Sequence, residues 1–413
     1  MGVNKGWLLF KTFINDIVNE INAEIKLFAD DTSLYLIVDN PNDTAFFLNQ
    51  DLNQLQRWSE KWLVKFNPNK TETMVISSKR NKPYHPPLQM NDQDLHVVNS
   101  HKHLGVIISD NGQWNDHIDY IVKKTYNRLN IMRKSRTFLD RYSLEKNYIS
   151  FIRPLMEYAD VIWDNQKQNL INKLENIQLD AARIVTGGTR LTSHDSLYEE
   201  TKWEKLKDRR KNHKLVLFHK MNYNKTPQYL VELTPKTVGT RHTHNTRQIN
   251  NIVNINCRTS LYSEYFLPST VKAWNDLPLP TRNLESLNSF KSLINTKNTK
   301  VPAHYYVGCR LGQILHARLR MNCSALNAHL FIRNLVESPN CICGITETVS
   351  HFLLDCPRHT TLRQQLFFSL LDIPENISLN LLIFGSVNLN DEENKAVFKS
   401  VQTFIIKSKR FTP

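Results

Sequence analysis

Cys341, Cys343, His351 and Cys356 carry side chains that bind metal ions, and they follow the pattern C-x-C-x7-H-x4-C within sixteen residues. Three thiolates and an imidazole suit tetrahedral zinc, and a shell closed by four protein ligands is structural rather than catalytic. Gly344, directly after the second cysteine, permits the tight turn that brings both thiolates to one ion. His351 lies within about one helical turn of Cys356. His359 is an alternate fourth ligand, and the competing reading is three reduced core cysteines beside an incidental histidine. Cys257, Cys309 and Cys323 are scattered and read as structural.

A second candidate is the acidic pair Asp30-Asp31. Successive strand residues point to opposite faces, so adjacent aspartates converge on one target only where the backbone turns. Tight hairpin turns favour Asn-Gly or Asp-Gly, which makes Asp-Asp a costly choice for a mere loop. Hard divalent cations such as Mg2+ take carboxylate oxygens, and two ions about 4 Å apart serve phosphoryl transfer. Alone, the pair reads more readily as a solvated turn than as a metal site.

The elements that must position these residues read as α+β followed by a mostly helical region. Glu24–Ala29 and Ser33–Val38 predict a hairpin around the acidic pair. An amphipathic helix is expected from Thr44 to Leu63, with Leu48, Leu52, Leu55 and Trp62 on one face and Asp43 or Thr44 as its cap. Strands follow at Glu72–Ile76, Leu95–Val98 and Leu104–Ile108, separated by the proline-rich loop SSKRNKPYHPPLQ. Ile118, Val122, Thr125, Leu129 and Met132 form the apolar stripe of a long helix. Its other faces carry Lys123, Lys124, Arg128, Arg133 and Lys134. Further helices are expected at Ser143–Ile162 (bent at Pro154), Leu170–Val185, Asp208–Met221 and Ile314–Leu335, with linkers at Asn222–Asn251 and Asn295–Pro302. The expected divisions are 1–110, 111–221, 222–300 and 301–413.

The 413 residues include 53 Lys and Arg against 39 Asp and Glu, a formal charge of +14. Such a surplus points to a polyanionic partner. Apolar residues at 40% exclude a wholly disordered chain. Six dispersed cysteines are no secreted disulfide framework, and neither a signal peptide nor a membrane-spanning run is found. An intracellular protein, cytoplasmic or nuclear, is expected. Zinc knuckles and basic helices commonly serve nucleic acid, and Arg318 and Arg320 just upstream of the cysteine cluster, with His316 and Arg333, are candidates to track RNA.

The run LFADDTSLYL, preceded by LLFKTFINDI and followed by FNPNKTETMVIS, resembles the palm of a reverse transcriptase of the LINE-type, Jockey-like non-LTR retrotransposons. HKHLGVIISDNGQW is similar to that family's primer-grip hairpin, with Leu104, Gly105 and Val106 at its core. FIRPLMEYADVIWDN, IQLDAARIVTGG, WEKLKDRRKNHKL and AWNDLPLPTR look like the region downstream of the palm. The resemblance implies a partial palm, a thumb-like helical region and a small zinc-knuckle domain. It further implies two Mg2+ ions held by Asp30 and Asp31, with Lys70 near the incoming triphosphate. The implied partners are an RNA template, a DNA primer and deoxynucleotides, with no membrane. The family's third metal carboxylate lies upstream of the hairpin, and Asp16 in FINDI does not match it; the chain alone is therefore expected not to polymerise. The alternative is a non-catalytic nucleic-acid-binding remnant.

Overall fold

The structure is a computed structural model that describes residues 15–18, 21–29, 31–164, 167–241, 249–295 and 300–411. The chain divides into two compact units, Met1–His117 and Ile118–Pro413.

In the first unit, β1 (Glu24–Phe28) pairs antiparallel with β2 (Asp31–Tyr35), Phe28 opposite Asp31. The bend begins at Ala29, whose φ of 54° is the left-handed conformation that such a short turn demands. Helix α1 (Pro41–Trp62) starts before the expected Thr44, because Asn40 accepts the Asn42 N–H at 3.0 Å and Pro41 supplies a pre-set φ. It ends at Leu63, in the left-handed region at φ 56°. Its buried Ala45, Leu52 and Leu55 cluster with Ile17, Leu88, Met90 and Leu95.

The remaining strands are short. β3 (Glu72–Thr73) pairs in parallel with β6 (His96–Val97), and β4 (Gln89–Met90) pairs with β5 (Gln93–Asp94). β7 (Ser100–His103) and β8 (Val106–Ser109) form a hairpin whose bend is Leu104-Gly105, with φ 46° and 87°. The strand expected from Leu104 therefore begins at Val106. Among the described residues these strands make four separate two-stranded sheets, not one palm-like sheet.

The second unit is helical. Its first helix, α2 (Asn115–Ser135), crosses the boundary between the units. The expected bent helix at Ser143–Ile162 is a succession of α3 (Arg141–Asn147), a π turn (Tyr148–Ile152), α4 (Arg153–Glu157) and α5 (Asp160–Trp163). The π turn ends two residues before Pro154, whose ring and missing N–H interrupt regular helical bonding there. α6 (Gln168–Thr186) ends on Gly187 at φ 76°, and α7 (His194–Thr201) and α8 (Leu206–Asn222) follow.

Directly after the segment expected as a linker, the chain returns to a core. Ile252, with Val271 and Trp274 of α9 (Phe266–Asn275) and Phe290 of α10 (Leu287–Ile294), packs on Leu215 and Phe218 of α8. The helix expected at Ile314–Leu335 is α11 (Arg310–Arg320), broken where Asn322 turns left-handed at φ 51°. The C-terminal core gathers Leu315 and Leu319 of α11 with Leu366 of α12 (Thr360–Phe368), Leu381 and Leu382 of α13 (Leu379–Phe384) and Val397, Phe398 and Phe404 of α14 (Asp391–Lys407). Among the described residues no helix is long and apolar enough to cross a membrane.

Candidate metal centre and nucleic-acid faces

The cysteine-histidine cluster is built by two tight backbone features. Cys341 N–H donates to Ile345 O at 2.7 Å and Gly344 N–H to Cys341 O at 2.9 Å, which folds Cys341 and Cys343 over one point. Gly344 has φ +90°, and a Cβ there would touch nothing within 4 Å. Glycine is thus required by backbone conformation, not by space. On the other side, a π turn over His351–Asp355 closes with Cys356 N–H on His351 O at 2.7 Å. That turn delivers His351 and Cys356 to the same point.

One ligand atom from each of Cys341, Cys343, His351 and Cys356 lies within 4.8 Å of every other. Cys341 Sγ is 3.8 Å from Cys356 Sγ, and Cys343 Sγ is 3.2 Å from His351 Nε2. A tetrahedral zinc with Zn–S near 2.3 Å has S···S edges of about 3.8 Å, so the donor set fits the ion. Electrostatics agree. Burial pushes the Cys341 thiol up, but the Cys343 N–H and hydrogen bonds from His351, Cys343 and Cys356 outweigh it and bring it down to about 6. Cys356 is pushed up to about 11 by burial, against the Arg358 N–H and with the neighbouring Cys341 sulfur adding to it. A thiolate is thereby favoured inside the cluster, the form a metal needs.

Residues that the sequence reading missed fasten the cluster. Arg410 grips Glu347 with two hydrogen bonds of 2.6 Å, and Glu347 also accepts the Asn327 N–H at 2.7 Å. Arg363 donates to Leu353 O at 3.0 Å and Cys356 O at 2.6 Å. His359 stands outside the converging set, edge-on to the rings of Phe352 and Phe404 at 5.4 and 5.9 Å. Cys257, Cys309 and Cys323 are free thiols away from it.

The acidic hairpin is resolved differently. Asp30 lies outside the described residues, and Asp31 is exposed at the first position of β2. Among the described residues the Cys3His cluster is the only place where three or more His, Cys, Asp or Glu side chains converge, so no acidic triad accompanies Asp31 there. Asp51, unnoticed in the sequence, is fully buried and accepts from Asn22 N–H, Asn22 Nδ2 and Ala23 N–H at 2.8 to 2.9 Å, anchoring the chain ahead of β1. Lys70 is exposed in a 3-10 turn, Pro68–Lys70. At the second hairpin Leu104 is 37% exposed at the tip while Val106 is buried. His117 accepts the Ile107 N–H of this hairpin at 3.1 Å, and burial lowers its pKa to about 4.

Helix α2 turns Ile118, Ile121, Thr125, Leu129 and Met132 inward, with Ile121 in place of the expected Val122 as the more buried neighbour. Lys123, Lys124, Arg128, Arg133 and Lys134 are all exposed. Arg128 donates to Phe151 O at 2.6 Å and Arg133 to Asn130 Oδ1 at 2.6 Å.

The basic residues of α11 behave otherwise, contrary to the RNA-tracking expectation. Arg320 is buried, gives two hydrogen bonds of 2.7 and 2.9 Å to Glu200 and lies 3.9 Å over the Tyr305 ring. Arg141 binds the same carboxylate. Arg318 donates to Gly187 O at 2.8 Å, and Arg310 to Val185 O and Ile184 O at 2.8 and 2.6 Å, so both satisfy the carbonyls that end α6. His316 is fully buried, and Arg333 bonds the backbone of His329 and Asn322. Each of these arginines has an internal acceptor, and Arg320 is buried with its own. The run DRRKNHKL is likewise spoken for in part: Arg210 and Lys214 pair with the buried Asp164 at 2.8 and 2.9 Å, and His213 bonds Asp160 at 2.6 Å.

No family model matches the chain. Three curated proteins of Drosophila melanogaster are similar to it. The probable RNA-directed DNA polymerase from transposon BS is 24% identical over 195 residues, covering 44% of this chain and 21% of that protein. The probable RNA-directed DNA polymerase from transposon X-element is 22% identical over 52% of this chain and 25% of its own length. The RNA-directed DNA polymerase from mobile element jockey is 22% identical over 50% of this chain and 24% of its own length. Over about half its length, then, the chain is similar to RNA-directed DNA polymerases of non-LTR retrotransposons, and it spans about a quarter of those relatives or less.

Proposed function

We propose that this chain serves nucleic acid as a segment of a retrotransposon reverse transcriptase, with α2 acting as a thumb-like helix against a template–primer duplex. The observation that carries the reading is the exposed cationic face of Lys123, Lys124, Arg128, Arg133 and Lys134 on a helix whose opposite face is packed. Positive side chains held at helical spacing displace counterions from phosphates, so affinity falls steeply with salt. Anisotropy titrations of the purified chain with an RNA–DNA hybrid across a salt series test this. Undetectable or salt-independent binding rejects it.

Within the same reading, Asp30 and Asp31 hold two Mg2+ ions beside the growing strand, Lys70 faces the triphosphate of the incoming deoxynucleotide, and the Leu104–Val106 hairpin contacts the primer. The names of the relatives support this chemistry, and the solvent access of Asp31 and Lys70 is compatible with it. A second reading, a non-catalytic binder, follows from Asp16 in FINDI not matching the family's third metal carboxylate. Each lost 1.36 kcal/mol of transition-state stabilisation is about tenfold in rate. We therefore expect no primer extension by the chain alone; extension abolished by Asp30→Asn would decide for the enzyme.

Zn2+ at Cys341, Cys343, His351 and Cys356 would be structural, supplying a rigid crosslink where the chain makes two tight turns. Metal analysis after reducing purification should find about one zinc per chain, lost together with local order in Cys341→Ser. A metal-free, equally stable parent protein would contradict it.

A further inference from the structure

Helices α12 and α14 meet through Leu366 and Phe404 of the C-terminal core, and they leave between them a groove of about 270 Å3 that none of the roles above uses. Leu362, Leu366 and Phe404 give it an apolar floor. Its two walls differ. The α14 wall carries Lys399 and Lys407, both exposed, and the α12 wall is neutral, with Gln365 and Ser369. Among the described residues no carboxylate lines the groove, and neither lysine makes an ion pair. Glu392, whose carboxyl feels Lys399, is paired with Lys395 at 2.7 Å.

Shape and chemistry select among occupants. Both walls are helices, whose backbone groups bond within themselves, so the groove offers no strand edge to an extended peptide. A third helix can instead set a ridge of side chains between the two, with apolar residues at i, i+3 or i+4 on the floor. Lys399 and Lys407 are eight residues apart, ~12 Å along α14. Two carboxylates seven residues apart on an incoming helix share a face and stand ~10.5 Å apart, a difference that flexible lysine stems cover. A nucleic-acid strand is poorly served. The lining holds no arginine, and its one aromatic, Phe404, is 2% exposed and presents no ring face to a base.

We infer that this groove docks an acidic amphipathic helix of a partner protein, with its apolar side chains on the floor and its carboxylates at Lys399 and Lys407. Because only one wall is charged, the acids lie along one flank of that helix, the flank that faces α14. The interaction uses none of the residues of the proposed nucleic-acid face and stands independently of that reading.

The test uses the full chain and a fluorescein-labelled helical peptide with leucines on one face and two glutamates seven residues apart on one flank, followed by anisotropy. The parent should bind it, and a peptide with glutamines in place of the glutamates should bind about tenfold more weakly, because two ion pairs are lost. Lys399→Glu combined with Lys407→Glu should abolish binding of the glutamate peptide and create binding of a lysine counterpart, with the melting temperature unchanged. Two lysines of merely structural importance would give no such exchange of preference. A parent that fails to bind the glutamate peptide overturns the groove, and so does equal affinity for the glutamine peptide. Loss of oligouridylate binding in the double variant would assign the groove to nucleic acid, and conversion of a dimer to a monomer would assign it to a second copy of the chain; either result overturns the inference. Loss of hybrid binding in α2 variants bears on the proposed function and not on the groove.

Discussion

Helices α2 and α11 are both rich in basic residues, and they spend them in opposite ways. In α2 the cations stand in solvent over a packed apolar stripe. In α11, Arg310 and Arg318 reach the carbonyls ending α6, and Arg320 is sunk beside Glu200, 120 residues away in the chain. A buried guanidinium is tolerable only with a paired carboxylate and satisfied N–H groups. The difference lies in burial around the acceptor: Arg320 is enclosed with Glu200, whereas Arg128 and Arg133 of α2 reach Phe151 O, Asn130 and Asp180 from exposed positions. A basic run becomes a candidate binding face only once its internal acceptors have been counted.

This contrast can be broken experimentally, most severely at the buried end. Arg320→Ala should cost the second unit about 3 to 5 kcal/mol, because it strips one partner from a buried carboxylate, the lower end applying since Arg141 remains. Chemical denaturation measures it, and a loss under ~1 kcal/mol would erase the distinction between the helices. Acid provides the next test. Burial alone would raise the Glu200 carboxyl, but Arg320 and Arg141 outweigh it and hold it below the usual carboxylate range. Its stabilisation is therefore complete above the unfolded carboxylate value, near 4.3, and is lost as pH falls through the lower folded one. Melting of Glu200→Gln should lack that acid-dependent component.

Smaller effects sharpen the comparison. Arg318→Met removes one charged donor from the end of α6 and should cost about 1 kcal/mol by the same denaturation assay. Lys123→Ala with Lys124→Ala should change stability by no more than about 0.5 kcal/mol. The same double variant should lower the salt slope of hybrid binding by about 1.8. If its stability fell as far as that of Arg320→Ala, α2 would be a second internal scaffold.

What could be read in advance follows the range of the interactions. The zinc-compatible ligands converge through local turns, and their types and spacing sit within one short stretch. The stripe of α2 is local as well, a matter of helical period. Residue type does not single out Asn40 as a cap, because Asp43 and Thr44 are also good caps, and only the Pro41 that follows Asn40 distinguishes it. By its residue types Leu104-Gly105 reads as strand, because leucine rarely enters the left-handed region that the bend requires. Residues 222–251 looked like a linker by composition, yet the neighbouring Ile252 completes a core with Phe218, Trp274 and Phe290. Such pairings between distant segments, like Glu200 with Arg320, leave no periodic trace in the chain.

The arginine-capped end of α6 has a consequence for inheritance. Three carbonyl oxygens at residues 184, 185 and 187 depend on donors that arrive more than a hundred residues later. A chimera spliced near residue 300 from two diverged copies would have to inherit socket and plug from one parent, or leave those oxygens without their charged donors. Exchange of the tail that carries the Cys3His cluster between such copies should therefore succeed only when its crossover lies upstream of α6 or downstream of α11.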